Sequence, residues 1–379
     1  MPTWRRWSRL QKVLLASVLL LGALSAVVFL RPPDDEDLDE MVVEDIEAAV
    51  EHSPHASAWK TVDQKSREQF VADYRAAEDK RQVFEQYEPV LGAAALLDFL
   101  DLTYPLCHEQ AHDLGRAIYT HSQDLGASLR ACATRCTSGC MHGVLAQALA
   151  HADRRDGPAD LQQACNAPEL AQTHKPGNCA HGVGHALMHA SANNLDRALL
   201  GCRRFSDPGM EYYCATGVYM EYRAHVRAAR EAGEPIAQQT LHFPCDRETR
   251  FPAACYRYML RSIRHTLGAD RQRLKRECQT LPDRQRIGCF HGLGAIYVRS
   301  VAKRPALLPE LCETERSEDR VVCIEGVIEK LADFDEARAR EACAELTGPL
   351  EAVCRAAADE KMYRLNKPTL RLYIGTEHT

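Results

Sequence analysis

CMHGVLAQAL (140–149), CAHGVGHALM (179–188), CATGVYMEYR (214–223), CFHGLGAIYV (289–298) and CIEGVIEKLA (323–332) are five stretches of one chain written on one template. Each opens on a cysteine, carries glycine three residues later, follows it with Val or Leu and then spaces its apolar residues as a helix does. The glycines are Gly143, Gly182, Gly217, Gly292 and Gly326. Glycine inside a helix costs about 1 kcal/mol relative to alanine. Its recurrence therefore predicts a close approach of neighbouring backbone at each of these points. CYRYMLRSI from Cys255 and CRAAADEKMY from Cys354 share the opening cysteine and lack the glycine; the last of them reads as a cap.

Upstream of each stretch lies a shorter helical pattern that also ends in cysteine: SLRAC at Cys132, RALLGC at Cys202, RLKREC at Cys278, LLPELC at Cys312 and RAREAC at Cys343. The pairs are Cys165/Cys179, Cys202/Cys214, Cys245/Cys255, Cys278/Cys289, Cys312/Cys323 and Cys343/Cys354, and the loops between partners are short and of nearly constant length. From Cys140 onward the second cysteines recur at a spacing of about 31–41 residues, the period of a helix-turn-helix array. The expected fold is all-α: a helical-hairpin solenoid of about seven repeats, each stapled by a disulfide inside its hairpin. Two short helices bury too little apolar area to hold together alone, and closing a loop of about ten residues contributes about 2–3 kcal/mol. Repeat register also suggests Cys132 with Cys140, leaving Cys107 with Cys136.

The chain has 379 residues, 16 cysteines, 7% aromatic residues and a net charge of −6. An even cysteine count without C-x-x-C or C-x-x-C-H fits a disulfide framework in an oxidising compartment and lacks the signatures of zinc ribbons, redox pairs and haem attachment. The acidic balance argues against nucleic acid as a partner, and no phosphate-binding loop or dinucleotide fingerprint supports a nucleotide.

Residues 1–12 carry Arg5, Arg6, Arg9 and Lys12 and form a basic cytoplasmic segment. Residues 13–30 (VLLASVLLLGALSAVVFL) are an uncharged apolar run read as one transmembrane anchor, with the body periplasmic or extracellular. A signal peptide cleaved near Ala23-Leu24-Ser25 is the rival, disfavoured because the run continues to Leu30. The expected order continues with an acidic linker (31–60), an N-terminal helical region (61–131), the stapled repeats (132–365) and a tail (366–379).

This architecture resembles secreted cysteine-rich members of the tetratricopeptide-like superfamily, in which a disulfide ties the two helices of each repeat. The C-x-H-G helices also look like a class of bacterial envelope proteins carrying C-H-x-x-x-H and H-G-x-G-H segments. That likeness implies a fold and a location, and no reaction.

Histidines fall into register as well. His142, His181 and His291 sit two residues after the second cysteine, where Thr216, Arg257, Glu325 and Ala356 stand in other units. His181, His185 and His189 stack at i, i+4, i+8, and His108 and His112 form a further i, i+4 pair. Neutral imidazoles at that spacing chelate Zn²⁺ or Cu²⁺. Residues 108–112 read HEQAH; in a zincin His108 and His112 would hold zinc and Glu109 would be the general base. Departures stand against a zincin: Ile118 occupies the metzincin ligand position, and no glutamate lies between Glu109 and Glu169.

Three readings follow from these residues. Each histidine bonds a neighbouring helix end; or His108, His112, His142, His181 and His185 converge on one divalent ion, Zn or Cu; or that ion serves an envelope hydrolase or oxidase. The first function expected is a membrane-anchored binding or scaffold protein with a protein or peptide partner on a concave face.

Overall fold

The computed structural model describes residues 57–104, 107–132, 136–151, 165–166, 175–234, 240–268, 270–333, 335–360 and 363–375. Among them are eighteen α-helices, two 3₁₀ turns and no strand. The apolar run 13–30 and most of the acidic linker lie outside the described residues. No helix among the described residues is long and apolar enough to cross a membrane.

The N-terminal helices α1 (Ser57–Thr61), α2 (Gln64–Ala76), α3 (Lys80–Leu91) and α4 (Ala93–Thr103) enclose an aromatic cluster. Trp59, Phe70, Tyr74, Phe84 and Phe99 are buried there, with ring centroids 4.8 Å (Phe70–Phe99) to 6.2 Å (Phe70–Phe84) apart. Asp63 and Asp79 cap α2 and α3 through backbone N–H groups, which ends one helix and starts the next inside a single periodic stretch. Trp59 N–H donates to Asp98 at 2.9 Å, so the fold already includes residues 57–60, inside the stretch expected to be linker.

From there the long helices pack in chain order: α5 (His108–Ser122), α7 (Gly139–His151), α8 (Pro176–Ala190), α10 (Pro208–Glu231), α11 (Pro252–Leu267), α13 (Asp283–Lys303), α15 (Ser317–Ala332) and α17 (Pro349–Glu360), each against the next. Proline opens α8, α10 and α11, where its missing N–H is no loss. Short helices α6 (Leu125–Cys132), α9 (Leu195–Cys202), α12 (Arg271–Thr280), α14 (Leu308–Leu311) and α16 (Glu336–Cys343) precede α7, α10, α13, α15 and α17 and end at or beside the first cysteine of each pair. Before α11 the arm holding Cys245 is a run of turns rather than a helix.

The second cysteines do not open their helices, as the sequence pattern suggested. Helix α13 starts at Asp283, more than a full turn ahead of Cys289, and α10 starts at Pro208, ahead of Cys214. An acidic or proline start supplies the helix end, and the cysteine sits farther in, where its side chain faces the buried partner sulfur.

All sixteen cysteines are bonded, in eight disulfides. Cys165–Cys179, Cys202–Cys214, Cys245–Cys255, Cys278–Cys289, Cys312–Cys323 and Cys343–Cys354 join partners 10 to 14 residues apart with Cα atoms 5.4–5.6 Å apart. Cys132 joins Cys140, and Cys107 joins Cys136 across 29 residues. Such a framework belongs to an oxidising, extracytoplasmic setting.

Four of the five recurring glycines face a neighbouring backbone. A Cβ on Gly143 would lie 2.0 Å from the His112 carbonyl, on Gly217 1.9 Å from that of His181, and on Gly326 2.1 Å from that of His291. Gly292 meets the Arg257 carbonyl at 2.9 Å. Gly182 differs: its neighbours are the side chains of His142 and Leu145, both at 2.7 Å. The close approaches bring the histidine-bearing turns of paired helices together.

At its C-terminal end the chain turns back. Helix α18 (Leu370–Ile374) packs against α10, α11 and α13 with Leu370 and Tyr373 buried. Residues 366–375 are thus part of the packed body, not a free tail.

Candidate metal centre

The i, i+4 spacing on α5 and α8 sets two imidazole pairs on facing helices, and α7 lies between them. The Nε2 atoms of His108 and His112 are 3.2 Å apart, and so are those of His181 and His185. His142, from α7, fills the space between: its ring centroid is 5.0 Å from His108, 5.2 Å from His181 and 4.9 Å from His185. One ring nitrogen from each of His108, His142 and His185 lies within 4.8 Å of the others. All five histidines singled out by register and spacing therefore meet in one cluster. His142, His181 and His185 are buried, whereas His108 and His112 are half-buried.

Hydrogen bonds fix two tautomers. Glu221, on α10, accepts from His185 Nδ1 at 2.8 Å. Burial by itself would raise the Glu221 carboxyl, but the His185 hydrogen bond and the neighbouring His189 and Arg116 hold it down to about 2. The carboxylate can only accept, so His185 Nδ1 carries a proton, and in the neutral ring Nε2 is then a lone pair. Thr216 hydroxyl donates to the Tyr213 carbonyl at 2.5 Å and so receives its bond from His181 Nδ1 at 2.8 Å. That leaves His181 Nε2 bare too. Two such lone pairs 3.2 Å apart repel unless a cation, either a shared proton or a metal ion, stands between them. Ligand nitrogens bound to tetrahedral zinc at about 2.0–2.1 Å are about 3.3 Å apart, which matches both pairs.

His142 carries the clearest chemical signal. It is 1% exposed, and neither of its ring nitrogens meets a hydrogen-bonding atom of the protein. A buried polar group left without a partner costs about 1–3 kcal/mol. Burial first, and then the neighbouring imidazoles, push His112 and His142 well below the ordinary histidine range; burial likewise leads for His181. They are held neutral, the form that ligates metals.

Glu109 follows His108 but points elsewhere: its carboxylate lies 3.6 Å from Arg227 and its side chain is 44% exposed. A second grouping, Asp101 with Cys107 and Cys136, offers no thiolate, since those two sulfurs are bonded to each other. His291, in the same register as His142 and His181, does not join the cluster. Its Nε2 donates to Glu329 at 3.1 Å on α15.

Sequence reasoning found the five imidazoles and missed what orients them. Thr216 stands in the shared register and Glu221 lies two helical turns after Cys214, a spacing that places both beside α8 once the helices pair. Lys367 and Glu329 were missed altogether, because the partners they meet are remote along the chain and carry no shared motif. Compared with known proteins, the chain matches no family model, no curated protein and no solved structure.

Proposed function

We propose that this protein is an exported binding or scaffold module, a solenoid of disulfide-stapled helical hairpins, whose N-terminal repeats hold one divalent transition-metal ion, zinc or copper. His108, His142 and His185 are the primary ligands, and His112 and His181, each 3.2 Å nitrogen to nitrogen from one of them, complete the set. An all-imidazole donor set selects Zn²⁺ or Cu²⁺ over Mg²⁺ or Ca²⁺. The observation that carries this reading is the buried His142 ring with both nitrogens unmatched among imidazoles. The anchor at 13–30 and the location outside the cytosol belong to the same proposal.

Metal content of the purified chain tests it. Wild type is expected to retain about one equivalent of zinc or copper after dialysis, and His142→Ala and His185→Ala to lose it. Wild type that takes up neither metal, with a melting temperature indifferent to both, would overturn the assignment.

A second reading has one observation in its favour: His108 and His112 are half-buried, so an ion there could keep a position open toward solvent. In that case the centre is an envelope hydrolase or oxidase, and Glu109 would have to turn from Arg227 toward the ion to act as its base. Glu109→Gln would then abolish turnover of a generic peptide or ester without loss of metal, whereas in a structural centre it changes nothing.

A further inference from the structure

Two residues past five of the second cysteines stand His181, Thr216, Arg257, His291 and Glu325, from α8, α10, α11, α13 and α15, all of them buried. Polar side chains recurring at one register in five successive helices form a seam, and residues 363–375 run along it. Tyr363 packs its ring at a tilt 4.9 Å from His181 and edge-on 5.4 Å from Tyr213, centroid to centroid. Tyr213 hydroxyl donates to the Arg364 carbonyl at 3.2 Å. A Cβ on Gly177 would fall 2.3 Å from the Tyr363 carbonyl, so glycine at that point on α8 is what lets the segment come so close. Farther along, Lys367 reaches between two carboxylates on α15, 3.1 Å from Glu325 and in contact with Glu329. Tyr373 hydroxyl donates to Glu325 at 2.8 Å.

Few main-chain bonds hold this segment: its backbone hydrogen bonds are local ones such as Leu370 to Lys367 and Gly375 to Arg371. Side chains dock it: Tyr363 and Lys367, four residues apart, and beyond them the buried Leu370 and Tyr373. Anchors set into pockets are also how a bound peptide is held. Glu325 and Glu329 are 3% and 1% exposed, and two buried carboxylates four residues apart on one helix need cationic partners. Arg257 at 3.4 Å supplies one charge to Glu329, and Lys367 serves both carboxylates.

We propose that the shared face of α8, α10, α11, α13 and α15 is a peptide-binding surface for segments of the form Tyr-x-x-x-Lys, and that residues 363–375 are its resident occupant, closing it in cis. The inference rests on reading the repeat body as a binding module, and it meets the proposed metal centre where Tyr363 lies against His181. A tethered occupant sits at an effective concentration of about a millimolar, so a free peptide competes only when the strap is weakened.

The test uses the full chain, its Lys367→Met variant and its Tyr363→Ala variant, with a fluorescent synthetic peptide of residues 361–379 as probe. Tyr363→Ala leaves every charge in place and serves if Lys367→Met does not fold. Wild type is expected to bind the probe at least 30-fold more weakly than the variants. A probe carrying Lys367→Met is expected to lose at least tenfold in affinity for either folded variant. Hydrogen exchange of amides 363–375 should quicken at least tenfold in the variants while α15 stays protected. Strap amides as protected as in wild type, or folded variants that capture the probe no better than wild type, would overturn the proposal. Metal-free wild type that behaves as described would leave this surface standing and remove only the metal centre.

Discussion

Helix pairs α8/α10 and α13/α15 are built on the same frame and carry opposite chemistry. In both, a glycine on the second helix meets a histidine carbonyl on the first (Gly217 on His181, Gly326 on His291), and a glycine on the first meets a cysteine carbonyl on the second (Gly184 on Cys214, Gly294 on Cys323). The polar cargo then diverges. Where α8 has the i, i+4 pair His181/His185, α15 has Glu325/Glu329. Glu325 and Glu329 are answered by Arg257 and Lys367, so that pair is closed with the chain's own cations. The imidazole cluster has lone pairs facing one another and a His142 ring that touches no donor or acceptor. One helix pair answers its carboxylates with the chain's own cations, although His291 Nδ1 there lacks a hydrogen-bond partner, and the other is a donor set lacking an acceptor of electrons. That contrast, rather than the histidine count, argues for a metal.

The self-completed pair should break hardest. Glu329 is buried between Arg257, Lys367 and His291, and burial by itself would raise its carboxyl, yet these partners bring it well below the usual range. Glu329→Gln leaves two buried cations sharing one carboxylate, and removing one partner of a buried ion pair costs about 3–5 kcal/mol. Denaturant unfolding under oxidising conditions should show that loss, with zinc unable to restore it. A change below about 1 kcal/mol would mean the carboxylate is already satisfied by solvent.

Next in size come the close approaches. Gly143→Ala and Gly326→Ala each force a methyl group against a main-chain carbonyl, and overpacking of that kind costs about 1–3 kcal/mol. The two losses should be alike in calorimetry. They should part in metal content, because only Gly143→Ala displaces the turn carrying His112; equal metal in both variants would detach the cluster from its frame.

How much of this was readable in the chain follows from distance along it. The disulfide-joined pairs were legible because their determinants are local: cysteines 10 to 14 residues apart and glycines at a fixed offset. His142 and His181 were legible from a shared register and His108, His112 and His185 from i, i+4 spacing, while the same register also pointed to His291, which bonds Glu329 instead. The strap was not, since nothing in YRLNKPTLRLYI distinguishes a polar tail from a docked segment until Glu325 and Glu329 are known to lie beside it. The turns around Cys245 escaped for a related reason: a cysteine pair demands a closed loop, and either a helix or a chain of turns closes one. The helix start ahead of Cys289 escaped because DRQRIG is polar and carries little periodicity, so the pattern became visible only at the cysteine itself.

A pH titration sharpens the comparison from the closed side. His291 faces Glu329, Arg257, Lys367, Tyr373 and Glu325 and is pushed down to about 3, chiefly by burial, with the nearby Arg257 adding to it and the Glu329 hydrogen bond opposing. The unfolded chain takes up this proton near pH 6.5, and the folded one not until about pH 3. Stability from His291 is therefore complete above pH 6.5 and falls as pH is lowered through that window, by up to about 1.4 kcal/mol per pH unit for one proton. His291→Gln, which keeps the donor to Glu329, should flatten the stability profile between about pH 6 and 5 by about one proton. An unchanged slope would mean that His291 is already protonated in the folded state.

The smallest expected effect is the most discriminating. His142→Leu removes a ring of similar bulk whose two nitrogens have no partner, and exchanging an unsatisfied buried polar group for an apolar one is nearly neutral or favourable. In chelator the variant should lie within about 1 kcal/mol of wild type. Zinc at a hundredfold above its dissociation constant stabilises a protein that binds it by about 2.7 kcal/mol, and the variant should gain little of that. Were His142 instead an ordinary core residue, the substitution would cost the same with and without metal, and the two melting curves would shift together. The same ring thus reports on both halves of the comparison: in chelator whether the cluster is merely packing, and in zinc whether it is a site.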